Sequence, residues 1–306
     1  MFLPLVGRRL RTVGIILSFG VVAVATIAGV IVCDMGLAWV SHRKDIAMLV
    51  DSVPATTAYM AVRTAEGHPP RDRRWVPLDS IPALAVCAVV AAEDPTFFQH
   101  DWFDWATQER LFRRVLGGDF SRGGSGIAQQ LARNLFLSPD RTVRRKVREY
   151  TLAVLVAETL SKERQLELHL NLVEWGDGVW GIGAGSQELF GRPLDRLTPT
   201  ETVFLATLLP APARGMEFSL LPSRGSGASR VLASVWRAGW LDNATRAATT
   251  ARHARIGWYT GRGVPAREAI ARTRTEMGSE PQVAPVLIGS GETWARLCDQ
   301  RRRGRW

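Results

Sequence analysis

The chain has 306 residues, of which 46% are hydrophobic and 22% charged, and these proportions exclude a disordered protein and a fibrous repeat. Its net charge of +10 comes almost entirely from arginine and suits an anionic partner such as nucleic acid, an acidic lipid surface or a phosphorylated substrate. The three scattered cysteines, Cys33, Cys87 and Cys298, exclude a dense disulfide framework and a thiolate zinc site.

The first element along the chain is an apolar run that predicts a membrane anchor. Val13–Cys33 spans 21 residues without a charge, preceded by Arg8, Arg9 and Arg11 and ended by Asp34. A helix of this length crosses a hydrocarbon core of about 30 Å, and it exceeds the apolar core of about 7–15 residues in a cleaved signal peptide. A buried helix of a soluble domain is the alternative, although few such helices are apolar on every face.

The arginines before this run set the expected orientation of the chain. Positive residues favour the cytoplasmic side of a membrane. We therefore expect residues 1–12 in the cytoplasm, a single pass through the cytoplasmic membrane at 13–33, and the remaining chain on the periplasmic or extracytoplasmic side. Residues 34–74 predict a stalk that leads into a folded domain. This placement excludes nucleic acid and leaves lipid or a phosphorylated substrate as the anionic partner.

The following segments predict a mainly α-helical domain. Ile81–Ala92 is a run of 12 residues without a polar side chain, which indicates a buried helix with Pro82 in its first turn and a stop before Pro95. Cys87 lies in this run, and we expect it to be an unreactive core residue. Strand signals are sparse. Residues 243–306 predict a C-terminal extension whose RRRGR sequence is either a solvated end or a contact with lipid headgroups.

Two capping patterns predict helix starts later in the chain. Ser138 is expected to cap a helix whose first residue is Pro139. Thr198 and Glu201 form a capping box with a proline at the first helical position.

Two adjacent carboxylates, Glu93 and Asp94, follow the apolar run. Partial burial and a neighbouring like charge both raise the pKa of a carboxyl toward the value that a general base needs. The pair therefore predicts a catalytic site. A solvated helix end explains the same two residues equally well.

A basic cluster on a later helix is the second candidate for chemistry. The cluster reads Arg144, Arg145, Lys146 and Arg148, and Glu149 follows it. Arg145 and Glu149 are four residues apart and share one face of a helix. A surface ion-pair ladder is one interpretation. The other is a site for a phosphate leaving group, because arginine forks bind phosphate oxygens in pairs.

Two segments between these candidates suggest contacts with substrate or membrane. The loop RGGSG at 122–126 lets backbone approach a ligand, and the amides that follow it, among them Gln130, suit sugar hydroxyls. The stretch 103–116 mixes aromatic and aliphatic side chains with arginines. It predicts either an amphipathic segment at an anionic membrane interface or a helix packed on the domain.

Four strings taken together resemble the five motifs of the peptidoglycan glycosyltransferases of family 51. They read VVAAEDPTFFQHDWFDW, RGGSGIAQQLARNLFLSPDRT, RRKVREY and SKERQLELHLNLVEWGDGVWGIGAGSQELFGRPLDRLTPTETVFLATLLPAP. The stretch EWGDGVWG at 174–181 is similar to the monofunctional biosynthetic members of that family. The resemblance covers residues 75–242, which we expect to form the glycosyltransferase domain, and the chain has no Lys-Thr-Gly motif of a transpeptidase.

This resemblance implies a mainly α, lysozyme-like fold with a large lobe and a smaller, membrane-facing jaw lobe. It implies an enzyme that polymerises lipid II into β-1,4-linked glycan with inversion and with release of undecaprenyl pyrophosphate. The partners implied are lipid II, the nascent glycan strand and membrane lipids, together with proteins of the wall-synthesis or division machinery.

The resemblance also implies roles for individual residues. Glu93 matches the catalytic base, and Glu149 matches the second glutamate, which is expected to place either a basic side chain or a divalent cation, Mg²⁺ or Mn²⁺, against the pyrophosphate. Other positions match the substrate site of the family: Asp94, Phe97, His100, Ser125, Gln130, Arg133, Arg145 and Lys146. Of these, Asp94, Phe97 and His100 are expected to support Glu93.

Several positions depart from the family pattern. Gly126 and Ala128 stand where threonine is usual, Trp102 replaces a glycine, His169 replaces a tyrosine, and Gly183 replaces a glutamate. These departures motivate an alternative, a catalytically weak relative that acts as an interaction protein in wall synthesis, although the retained glutamates and cations argue against it. A wall-cleaving hydrolase is a third interpretation, but a hydrolase of neutral glycan needs no donor-site cations.

Overall fold

The computed structural model describes residues 3–118, 124–140, 142–209, 227–280 and 293–298, and these residues are mainly helical, as the sequence predicts. The helices are α1 (Leu3–Met48), α2 (Ala58–Ala65), α3 (Ala83–Glu93), α4 (Trp105–Leu116), α5 (Ile127–Phe136), α6 (Val143–Thr159), α7 (Lys162–Leu172), α8 (Ile182–Phe190), α9 (Pro199–Ala206), α10 (Gly227–Arg237), α11 (Asn243–Thr260), α12 (Ala266–Met277) and α13 (Trp294–Cys298). The strands are β1 (Asp72–Arg73), β2 (Glu174–Gly176) and β3 (Val179–Trp180). The RRRGR sequence lies outside the described residues.

Helix α1 carries the predicted membrane span and continues beyond it without a break. Its segment Ser18–Met48 is long and apolar enough to cross a membrane, with a mean hydropathy of 2.2. Beyond Asp34 the helix packs along α6 and buries Ala38 and Ile46. Residues 35–48 of the segment expected to be a stalk thus continue α1 and pack on the domain. Apolar side chains at helical spacing dock this part of α1 on the domain, and α2 and β1 follow as further packed elements.

Helix α3 is the central helix of the first apolar core. Every residue from Ala83 to Val90 is buried, which confirms the predicted buried helix. The helix begins directly after Pro82 and ends at Glu93, and its neighbours are α9, α10 and α13. Each large aliphatic side chain buried here stabilises the fold by about 1.5–3 kcal/mol. The apolar surroundings hold the end of α3 in a fixed position.

A second apolar core joins α1, α2, α5, α6 and α7, and includes Leu131, Leu152 and Leu168. Helix α5 belongs to both cores, because Ile127 packs in the first and Leu131 in the second. The start of α5 therefore lies where the two cores meet. The end of α3 reaches the same place, since the backbone N–H of Ile127 donates to Asp94.

The small sheet fixes the segment that leads into α3. Strand β3 lies between β1 and β2, parallel to β1 with Asp72 opposite Val179, and antiparallel to β2. The turn between β2 and β3 requires glycine at Gly178, which has a φ of +68° and whose Cβ would lie 2.7 Å from the carbonyl oxygen of Pro69. From α7, the side chain of Asn171 bonds both the N–H and the carbonyl of the backbone at residue 76, each at 2.8 Å.

A disulfide joins Cys87 of α3 to Cys298 of α13 across 211 residues of sequence. The prediction that Cys87 is an unreactive core thiol is therefore wrong. The spacing of three scattered cysteines does not reveal a pair this distant. Trp294 and Leu297 of α13 are buried in the first core, so the disulfide secures a contact that apolar packing also makes.

The structure confirms one predicted helix start and corrects another. Thr198 and Glu201 form the predicted capping box at the start of α9. Helix α6 does not start at Ser138, because its cap is Thr142, whose hydroxyl accepts the backbone N–H of Arg145 at 3.1 Å. The Ser138 hydroxyl instead donates to a neighbouring aspartate at 2.7 Å and closes a local turn.

Candidate active site

Glu93 is the last residue of α3, and its carboxylate is held by α5. Gln130 Nε2 donates to Glu93 Oε2 at 2.7 Å. Glu93 Oε1 is shielded from solvent and has no hydrogen-bond partner among the described residues. Burial raises the pKa of Glu93 to about 7, although the hydrogen bond from Gln130 and the charge of Arg133 act in the opposite direction. A carboxyl with this pKa exchanges its proton near neutral pH, as a general base must.

Asp94 supplies the cap that α5 lacks. The residue before α5 is Gly126, which has no side chain to accept a backbone N–H. Asp94 Oδ2 accepts the N–H of Ile127 at 3.2 Å instead, and a Cβ added to Gly126 would collide with the same oxygen. His100 Nε2 lies 3.0 Å from Asp94 Oδ1 and holds the other side of the carboxylate. Asp94 therefore fixes the end of α3 to the start of α5.

Phe97 supports this turn from the core and does not face the site. It is fully buried in the first core, with its ring 5.0 Å from that of Phe98 and with Lys162 Nζ 4.5 Å above it. A fully buried ring is not available for direct contact with a substrate. The expectation that it supports Glu93 agrees with this position.

Glu149 lies on α6 and is completely buried, with cations on both of its oxygens. Arg145 Nη1 donates to Oε2 at 2.6 Å, and Lys146 Nζ donates to Oε1. Ser125 Oγ also donates to Oε1, at 3.4 Å, and accepts from Lys146 Nζ at 3.0 Å. The surface ion-pair interpretation of this helix does not hold at Glu149, since a buried carboxylate needs such partners. Glu149 holds Arg145 and Lys146 at fixed positions.

A continuous chain of hydrogen bonds connects the two glutamates. Gln130 Nε2, which donates to Glu93, also donates to the carbonyl oxygen of Ser125 at 3.1 Å. The hydroxyl of the same serine contacts Lys146 and Glu149. The structure thus brings together Glu93, Gln130, Ser125, Lys146 and Glu149, although the glutamates are 56 residues apart in the sequence.

Arg133 adds a cation that no other side chain engages. It is exposed on α5, one turn after Gln130, and its side chain makes no hydrogen bond or ion pair with the described residues. Its charge lowers the pKa of Glu93, which places it within electrostatic reach of the carboxylate. An arginine in this state can bind an anionic ligand without first breaking a protein contact.

A cleft of about 380 Å³ is lined in part by Glu93. Its walls include the end of α3, the loop 124–126, the start of α4 and one face of α10. From α10 it receives Arg230, Ser234 and Arg237, whose spacing of four and three residues puts them on one helix face. Sequence reasoning missed these residues. The spacing was visible, but nothing in the sequence pointed this face toward Glu93.

Helix α4 presents an apolar face to solvent beside this cleft. Trp105 is 65% exposed, Phe112 63% and Leu116 72%. Gln108, at the edge of the same face, accepts from the Tyr150 hydroxyl at 2.6 Å and joins α4 to α6. Large apolar side chains with this exposure favour the membrane-interface interpretation over simple packing on the domain.

The departures from the family pattern fall at different distances from the reacting groups. Trp102 lines the cleft and is 40% exposed. Ala128 is buried in the second core, so no group facing the cleft is lost there. His169 is fully buried, which lowers its pKa to about 3 and keeps it neutral. A Cβ at Gly183 would lie 2.7 Å from Val76, so the local packing fits glycine.

The residues at Glu149 do not suit a divalent cation. Mg²⁺ prefers several oxygen ligands, whereas both oxygens of Glu149 are occupied by Arg145 and Lys146. Among the described residues, no three His, Cys, Asp or Glu side chains come together as a metal site. Of the two expectations for Glu149, this arrangement fits a carboxylate that positions basic side chains better than one that holds Mg²⁺ or Mn²⁺.

Comparison with known proteins agrees with this geometry. Residues 44–232 match the family model described as transglycosylase. A biosynthetic peptidoglycan transglycosylase of Rhodospirillum centenum is 44% identical over 161 residues, which are 53% of this chain and 70% of the relative. The protein of that description from Azoarcus sp. is 41% identical over 58% of this chain and 79% of its own length. The one from Aromatoleum aromaticum is also 41% identical, over 53% of this chain and 73% of its own length. The chain therefore belongs to the transglycosylase family, has its lysozyme-like fold, and is a peptidoglycan glycosyltransferase.

Proposed function

We propose that this glycosyltransferase polymerises lipid II into a β-1,4-linked glycan strand and releases undecaprenyl pyrophosphate. The observation that carries the proposal is the hydrogen-bonded chain from Glu93 to the pair Arg145 and Lys146. It joins a carboxyl with a pKa of about 7 to two fixed cations, which are the two groups that this reaction requires.

Glu93 is the base in the proposed reaction. Its ionised carboxylate takes the proton of the acceptor 4-hydroxyl as that oxygen attacks the anomeric carbon of the donor. The bond between the anomeric carbon and the pyrophosphate oxygen breaks on the opposite face, so the anomeric configuration inverts. The proton then passes from Glu93 to solvent. General base catalysis contributes about 10²–10⁴-fold to such a reaction, and electrostatic stabilisation and positioning contribute the remainder.

The cations stabilise the departing group. A pyrophosphate leaves as an anion, so the reaction needs positive charge more than a general acid. Arg145 and Lys146, held by buried Glu149, face the developing charge with little reorganisation. Arg133 is exposed and contributes a third cation from α5. Arginine forks bind two phosphate oxygens at once and thereby orient the leaving group.

The membrane arrangement that we propose is supported by α1 and by the disulfide. We place the N-terminus in the cytoplasm, because three arginines precede the apolar span. The catalytic residues then lie outside the cytoplasmic membrane. The disulfide between Cys87 and Cys298 supports this side, since disulfides persist in oxidising compartments. The apolar face of α4 dips into the lipid interface beside the substrate.

Labelled lipid II in vesicles tests the proposal with the full-length protein. The wild type should give a ladder of glycan strands, and Glu93→Gln should give none while remaining folded. Glu158→Gln is the matched control, because Glu158 is an exposed glutamate on α6 without a partner among the described residues, and it should polymerise normally. Binding without any product would support the interaction-protein alternative. Digestion of finished glycan would support a hydrolase, and either result would refute the proposal.

A further inference from the structure

Asp34 of α1 is clamped by two arginines of α6. Arg144 donates to Asp34 Oδ1 from Nε at 3.0 Å and from Nη2 at 2.8 Å. Arg148 donates from Nε to Oδ2 at 2.9 Å and from Nη2 to Oδ1 at 2.7 Å. The carboxylate is 8% exposed and accepts four hydrogen bonds from two guanidinium groups. Paired, charge-assisted contacts of this kind fix geometry more strictly than a single ion pair.

Helix α6 therefore connects the anchor to the cations of the site. Arg144 and Arg148 are four residues apart and meet α1 on one face. Arg145 and Glu149, each one residue further along, form the next pair and belong to the active site. A displacement of α6 relative to α1 would therefore move Arg145 and Lys146 by a similar distance.

Between Asp34 and Met48 the described contacts of α1 with the domain are mainly apolar, and just beyond the end of the helix Arg164 of α7 donates to the carbonyl oxygen of Leu49 at 2.8 Å. Ala38 and Ile46 are buried in the second core, and the His42 ring lies 5.0 Å from that of Phe136. Apolar contacts of this type tolerate sliding along a helix better than paired hydrogen bonds do. Asp34 directly follows the uncharged run that ends at Cys33, so the clamp lies where the anchor leaves the membrane.

We propose that Asp34 is a positioning residue, which acts through Arg144 and Arg148 to set the height of the leaving-group cations above the bilayer. The inference rests on the proposed function, in which the pyrophosphate of a lipid substrate stays at the headgroup level. The anchor fixes the height of α1, and the clamp transmits that height to α6. A misplacement of about 1 Å between substrate and catalytic groups can cost about 10²-fold in rate.

The decisive comparison is between a bilayer, which fixes the substrate height, and a detergent micelle, which adapts to the protein. Lipid II polymerisation is measured for the full chain in both media. Asp34→Asn should lower kcat about tenfold in vesicles and less than about twofold in micelles. Arg148→Gln, which removes one of the arginine partners of Asp34, should lower kcat in vesicles and in micelles to the same extents as Asp34→Asn does. Asp34→Glu, which keeps a carboxylate, should retain most of the wild-type rate in vesicles. Asp45→Asn, an exposed aspartate on the same helix, should match the wild type.

A second measurement does not depend on activity. Hydrogen exchange of the α1 backbone between residues 35 and 48 should become faster in Asp34→Asn and stay at the wild-type rate in Asp45→Asn. Equal loss of activity in vesicles and micelles would mean a general structural role and would overturn the inference. Unchanged activity and unchanged exchange would show that apolar docking suffices. A wild type without polymerase activity would refute the proposed function, while the exchange result would still decide whether Asp34 clamps α1.

Discussion

Replacing Glu93 by glutamine tests the cause of its raised pKa as well as its role. A carboxyl whose pKa is 4.5 in the unfolded chain and about 7 in the folded protein binds its proton more tightly when folded. Its contribution to stability is therefore complete below pH 4.5 and is lost as the pH rises through about 7. Above that pH the native protein holds an ionised carboxylate that is largely desolvated by burial, and this state destabilises the fold.

The magnitude follows from the difference between the two pKa values. At about 1.4 kcal/mol for each pH unit, the interval from 4.5 to about 7 corresponds to about 3 kcal/mol. Glutamine has no charge to desolvate and keeps an oxygen for Gln130 Nε2. Glu93→Gln should therefore be more stable than the wild type by about 2–3 kcal/mol at pH 8.5, and no more stable at pH 4. For a protein of this size, the gain in stability at pH 8.5 raises Tm by about 5 °C.

Thermal unfolding of both proteins between pH 4 and pH 9 measures this effect. The difference in Tm should grow between pH 5 and pH 7.5 and then level off, while the variant has no polymerase activity. Glu158→Gln, which changes an exposed glutamate, should show no such dependence. A difference that does not change with pH, or a variant less stable than the wild type at pH 8.5, would contradict the argument that burial raises the pKa of Glu93.

Three further predictions concern neighbouring features. The polymerisation rate of the wild type should rise with pH through about 7, because Glu93 must be ionised to act as a base. Arg133→Gln should move this rise to higher pH, because the Arg133 charge lowers the pKa of Glu93. Cys298→Ala should destabilise the protein by up to about 5 kcal/mol, as judged from denaturant unfolding, because the disulfide closes a loop of about 210 residues. Gly126→Thr should lower kcat severalfold even though threonine is usual in the family, because the new side chain collides with Asp94.

Each of these predictions has an outcome that would contradict it. A pH profile that stays in place in Arg133→Gln, or shifts to lower pH, would mean that the Arg133 charge does not lower the pKa of Glu93. Equal unfolding curves with and without reductant would show that the Cys87–Cys298 bond does not constrain the chain. Full activity in Gly126→Thr would mean that Asp94 can move aside without disturbing the base.

Local signals predicted the parts of the fold that depend on neighbours in sequence. The all-apolar composition of α3 indicated burial on every side, and the capping box at Thr198 marked the start of α9. Ser138 failed as a cap because two hydroxyls within five residues compete for one helix end, and the one at Thr142 is the closer to the regular helical segment. A pattern read locally cannot rank two such candidates.

Contacts between segments that are distant in sequence could be predicted only from the family resemblance, or became visible only in the structure. Glu93 and Glu149 were expected to share a site because they match one family, whereas the bridge through Gln130 and Ser125 depends on how α3, α5 and α6 pack. The docking of α1, the disulfide and the cleft-facing side of α10 left no signal that sequence reasoning could use. Each is a tertiary contact between two segments, and the local sequence of neither segment indicates its partner.

The Cys87–Cys298 bond turns most of the catalytic domain into a covalent ring. Both glutamates and all the cations assigned to the leaving group lie inside that ring. A single backbone cut in a connection between residues 87 and 298 would therefore open the ring without releasing a fragment, and the nicked enzyme would migrate as one molecule until a reductant separates the pieces. The enzyme can in this way survive a proteolytic nick that would separate the two parts of a chain without the disulfide.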